Sequence, residues 1–90
     1  MRGLFETKEN VMKRIVFTKH AEEMLSVRHI DRSKVKSALT QPSRRIKAKE
    51  GKVAYFKDFG VNYLKVVVSE ENDALVVVTL YWVAKHRINR

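Results

Sequence analysis

The chain has 90 residues, 44% hydrophobic and 32% charged, enough apolar material for one small core and too much for a disordered tail. It carries 19 Lys and Arg against 10 Asp and Glu, a net charge of +9, so a polyanion such as nucleic acid is the first partner to consider. The absence of cysteine removes disulfides, zinc–thiolate sites, iron–sulfur clusters and thiol nucleophiles together, and it suits a reducing cytoplasm.

Residues 1–12 show no clear period and read as a flexible leader, while Glu6, Lys8 and Glu9 argue against a signal peptide. Met12-Lys13-Arg14 resembles a second translation start, so a single domain is expected over residues 13–90. Ile15-Val16-Phe17 is β-branched and aromatic, as a short strand requires. Thr18 then offers an N-cap, and Ala21, Met24 and Leu25 recur at helical spacing up to Arg28-His29. Asp31 is placed to cap a second helix, with Ile30 and Val35 forming a hydrophobic staple. Val35, Ala38 and Leu39 are its buried stripe, Arg32, Lys34 and Lys36 turn outward, and Pro42 stops it. The two helices are joined too closely to admit a strand, so they form an elbow.

From Arg44 the period changes to two. Arg44 to Lys49 reads as a weak edge strand that turns at Glu50-Gly51 into Lys52 to Asp58. Phe59-Gly60-Val61 turns the chain into Asn62 to Ser69, and the acidic turn Glu70 to Asp73 leads to the strongest strand, Ala74 to Val83. The apolar stretch Ala74 to Ala84 is too short for a membrane span of roughly 18 residues, so no membrane partner is expected. Short loops force antiparallel pairing. The expected fold is α+β, an N-terminal strand and a two-helix elbow packed on one face of a three- to five-stranded antiparallel sheet. Alternation places Ala54, Phe56, Leu64, Val66, Val68, Val76, Val78, Leu80 and Trp82 under the helices. It leaves Tyr55, Lys57, Tyr63, Lys65, Thr79 and Tyr81 on the open face, where rings could stack bases and ammonium groups meet phosphates.

The charge is uneven along the chain. Residues 1–49 carry 13 basic and 5 acidic groups, and Arg28 to Lys49 holds eight cations against Asp31 alone. Arg32, Lys34, Lys36, Arg44 and Arg45 are therefore candidate RNA-binding residues, with Lys57, Tyr55, Tyr63, Thr79 and Arg87 from the sheet and the C-terminal cluster. His20, His29 and His86 are not spaced as metal ligands, and no glycine-rich loop follows a strand, so neither metal nor cofactor is expected.

This inventory suits metal-independent RNA cleavage. Attack of a ribose 2′-hydroxyl on its phosphate needs a base, an acid for the departing 5′-oxygen, and cations for the charge developing at phosphorus. His20, at the junction of the first strand and helix, is the candidate proton-transfer group. Arg28 stands on the apolar stripe of its helix, either as a snorkelling C-terminal cation or as a phosphate-binding arginine. Lys65 and His86 join the candidate site through face parity and charge, whereas His29 reads as a structural helix end.

The run Phe17-Thr18-Lys19-His20-Ala21, the elbow Arg28-His29-Ile30-Asp31, and the closing strand Val78-Thr79-Leu80-Tyr81 resemble a family of short bacterial and archaeal domains. Its pattern is a helix opening His-Ala, an Arg-Gly-Ile elbow and a final Thr-x-Tyr strand; His29 replaces the usual glycine. That family in turn resembles the RelE/ParE and BrnT-like toxin superfamily, with its barnase- and EndoU-like ribonuclease fold. The resemblance implies a sheet that cradles RNA, metal-free cleavage, and an acidic antitoxin protein as a further partner. It matches His20 and Arg28 to the first helix motif and Thr79 and Tyr81 to the last strand. The expectation is a cytoplasmic RNA endonuclease toxin, with a non-catalytic nucleic-acid-binding or partner-binding module as the alternative.

Overall fold

A four-residue strand, β1 (Arg14–Phe17), opens the computed structural model, which describes residues 13–85. There follow α1 (Lys19–Val27), α2 (Arg32–Thr40), β2 (Arg44–Lys47), a 3-10 turn (Lys49–Gly51), β3 (Lys52–Asp58), β4 (Asn62–Glu70) and β5 (Ala74–Ala84). The expected leader, residues 1–12, lies outside the described residues, as do His86 and Arg87.

Local chemistry sets both helix boundaries. Thr18 Oγ1 accepts from the Ala21 N–H at 3.1 Å and so caps α1. At its other end the Ile30 N–H reaches back to the Leu25 carbonyl at 2.9 Å and the His29 N–H to Ser26 at 3.3 Å, with His29 left-handed at φ 56°. That six-to-one closure satisfies orphan carbonyls and swings Ile30 into the core. Asp31 occupies the N-cap of α2, but its carboxylate makes no capping bond; only its carbonyl accepts, from Lys34 and Val35.

The sheet order is β1-β5-β4-β3-β2. Strands β2 to β5 pair antiparallel, as their short connections require, while β1 lies parallel to β5. The sheet is thus mixed rather than wholly antiparallel. Two helices separate β1 from β2, so no hairpin dictates the direction of β1. The fold is α+β, with both helices on one sheet face.

That face holds the core: Val53, Tyr55, Leu64, Val66, Val68, Leu75, Val77 and Leu80 pack against Ala21, Leu25, Ile30, Val35, Ala38 and Leu39. Complete burial of side chains such as Leu64, Val66 and Leu80 stabilises the fold by about 1.5–3 kcal/mol each.

The expected faces need two corrections. On β3, Tyr55 and Lys57 lie on the helix side, and Ala54 and Phe56 on the open side, because Asp58 pairs with Tyr63. The Phe59 N–H donates to the Asn62 carbonyl at 3.0 Å, so the turn has two central residues, Gly60-Val61, and Gly60 supplies φ +100°. A two-residue turn puts odd positions of β3 opposite even positions of β4; the expected three-residue turn would not. On β5, Val76 faces the open side and Val77 the core, because Val67 pairs with Thr79 but Val68 with Val77. Val78 is the extra residue of a β-bulge, which reverses parity at that point.

Candidate functional site

The bulge and the start of α1 meet. The Thr18 N–H donates to the Val77 carbonyl at 3.1 Å and Thr18 Oγ1 to the Val78 carbonyl at 3.3 Å, pinning the helix N-terminus to β5. Two residues on, the exposed His20 places Nε2 at 3.2 Å from Thr79 Oγ1. Thr79 faces the open side in register with Val67, so this contact brings the imidazole to the edge of that face. With Nε2 engaged by the hydroxyl, Nδ1 is the ring nitrogen left for other partners.

A cross-strand row lies beside this pair. Arg44 pairs with Phe56, Phe56 with Lys65, and Lys65 with Tyr81, so cation and ring alternate across β2, β3, β4 and β5. The Lys65 ammonium sits 5.3 Å from the centre of the Tyr81 ring and 5.6 Å from that of Phe56. Such contacts are worth about 0.5–1 kcal/mol when exposed and hold the ammonium over the sheet. Tyr63 stands next to the row, edge-on to Phe56 at 6.4 Å, with Lys85 over its ring at 5.7 Å.

His20, Thr79, Tyr81, Lys65, Tyr63 and Arg44 therefore share one region. The remaining candidates lie elsewhere. Arg28 is exposed at the C-cap of α1, because Ile30 takes the buried position its stripe predicts. Eight residues of helix separate it from His20, about 12 Å along the axis. Arg32 pairs with Glu22 and covers the Phe17 ring, Lys34 covers Phe59, and Lys36 is exposed on α2, all on the helix side. The Lys57 ammonium donates to the Gln41 carbonyl at 2.9 Å, beyond the end of α2.

Arg45 and Tyr55 belong to a clamp on the helix side. The Tyr55 hydroxyl donates to Glu70 Oε2 at 2.7 Å, and Arg45 donates to Glu70 at 2.9 Å and to the Tyr55 oxygen at 3.3 Å. Partial burial raises the Glu70 pKa, but the hydrogen bonds from Tyr55 and Arg45 and the nearby charges outweigh it and hold it below the usual value. Burial, followed by the carboxylate's proximity against the opposing arginine, pushes the Tyr55 hydroxyl up. Asp58 is lowered, first by the Gly60 N–H and then by Lys85.

Ion pairing also sorts the cations. Arg14 pairs with Asp73, Arg32 with Glu22, Arg45 with Glu70, Lys52 with Glu50 and Lys85 with Asp58. Among the described residues, Lys65 and Arg44 form no ion pair, and no three His, Asp or Glu side chains gather as metal ligands. Phe56 is the member of the row that sequence reasoning assigned to the core. A Gly60-Val61 two-residue turn was the signal that would have moved it.

A model of the family described as a domain of unknown function, DUF4258, matches residues 17–82. The matched segment runs from the end of β1 into β5 and includes both His20 and Thr79. No curated protein and no solved structure matches the chain. The chain belongs to the DUF4258 family.

Proposed function

We propose that this member of the DUF4258 family is a metal-independent RNA endonuclease, acting as the toxin of a toxin–antitoxin pair in the cytoplasm. The observation that supports the reading is the His20–Thr79 pair at the edge of a sheet face carrying half-buried tyrosine rings and, among the described residues, cations without an ion pair. The net charge of +9 and the resemblance to the RelE/ParE and BrnT-like superfamily point the same way.

In this mechanism the His20 Nε2–H donates to Thr79, and Nδ1 accepts the proton of a ribose 2′-hydroxyl. The 2′-oxygen bonds to the adjacent phosphorus, the bond from phosphorus to the 5′-oxygen breaks, and that oxygen takes a proton from the Tyr81 hydroxyl or from water. Lys65 offsets the charge that builds on the phosphoryl oxygens. The products are a 2′,3′-cyclic phosphate and a 5′-hydroxyl.

The test is incubation of purified protein with single-stranded RNA in EDTA. Cleavage to cyclic-phosphate ends should fall by at least about 100-fold in His20→Ala. Salt-sensitive RNA binding without any cleavage would leave only a binding module. Growth arrest on expression, relieved by a neighbouring reading frame encoding an acidic protein, would support the toxin assignment; arrest unaffected by His20→Ala would count against it.

A further inference from the structure

We infer that single-stranded RNA lies on this protein in one direction only, from the His20–Thr79 pair across β5, β4 and β3 to β2, so that recognition falls on one flank of the scissile phosphate. The inference rests on reading His20 as the reacting group with Lys65 and Tyr81 at the scissile phosphate, and it assigns Arg44, at the far end of the row, to flank binding.

The asymmetry is visible on both sides of Thr79. Toward β2, the open face presents the half-buried Tyr81, the Lys65 ammonium held over its ring, and Arg44, with no carboxylate pairing either cation among the described residues. Toward β1, the same face presents Val76 and Val16, and among the described residues its basic side chain there, Arg14, is paired with Asp73. A phosphate chain gains along the first path and meets aliphatic surface along the second. The first path crosses three strand spacings, about 14 Å at about 4.8 Å each. That accommodates about four nucleotides if they stack at about 3.4 Å.

The row also divides the labour. Lys65 and Tyr81 meet the scissile phosphate, while Arg44, two strand spacings or about 10 Å from Lys65, meets a phosphate about three nucleotides further along. Phe56 is buried beneath them and keeps the Lys65 side chain extended over the sheet.

The experiment uses 2′-O-methyl oligonucleotides with a single ribose, so that only one bond can be cut, and shortens each flank separately to one nucleotide. Shortening one flank should lower kcat/KM at least tenfold, and shortening the other should change it less than twofold. In the Arg44→Gln variant, with its fold checked by circular dichroism, that flank dependence should disappear. Equal losses from both flanks, or a dependence that survives in the Arg44→Gln variant, would overturn the inference. If the wild type cuts none of the oligonucleotides, fluorescence anisotropy on the same set separates the two ideas. Affinity that saturates near four nucleotides and requires Lys65 and Arg44 keeps the path while the nuclease reading falls, and affinity indifferent to both residues removes the path.

Discussion

Among the described residues, His29 and Glu50 lack glycine's freedom yet adopt positive φ, 56° and 60° respectively. At His29 the left-handed geometry closes α1 and delivers Ile30 to the core, so the conformation is required while the side chain is not. An L-residue with a Cβ pays roughly 1–2 kcal/mol there, partly offset by the unfolded-state entropy of glycine. His29→Gly should therefore raise unfolding stability by about 1 kcal/mol in urea melts, whereas His29→Val should lower it. Phe17, Thr18 and Ala21 announced the start of α1 through ordinary capping and spacing. Arg28 stays exposed at the C-cap, because the left-handed closure at His29 gives the buried place on its stripe to Ile30.

Among the elements, the bulge in β5 and the clamp on β2 have separable consequences. Deleting Val78 restores uninterrupted alternation: Leu75 and Val77 still face the core, and so do Leu80 and Trp82. The variant should fold with little change in Tm and keep Thr79 on the open face, yet lose the Thr18–Val78 bond that pins the start of α1 to β5. NMR contacts between His20 and Thr79 should weaken, and RNA cleavage should fall with them. The clamp is tested by pH. Glu70 has a folded pKa below its usual value of 4.5, so its contribution is present above that value and lost as pH falls through the folded one. Glu70→Gln should cost about 1 kcal/mol at neutral pH, with the deficit closing as melts are taken to pH values progressively below 4.5. Tyr55 is shifted upward, so its share is complete below pH 10 and fades as pH rises past the folded value. The strand pattern made every one of these elements legible, but neither the bulge nor the clamp shows as periodicity. Both arise from pairings between segments far apart in the chain.

For the molecule as a whole, the count of 19 basic residues overstates what a polyanion meets, since among the described residues five of the cations are tied to carboxylates. Binding of single-stranded RNA should weaken with salt, and removing Lys65 and Arg44 together should reduce the log–log slope by about 1.4, or about 0.7 per phosphate contact. Arg14→Ala, which removes a paired cation, should leave the slope unchanged in the same titration. Composition, capping residues and period were enough for the fold class, because each depends on neighbours within a few positions. They were enough, too, for the chain segments that carry His20, Lys65, Thr79 and Tyr81. Which of these segments share a face was settled only in three dimensions. A strand's side chains alternate with a period of two, so a two-residue turn at Gly60-Val61 or one extra residue at Val78 sends every later side chain to the other side of the sheet.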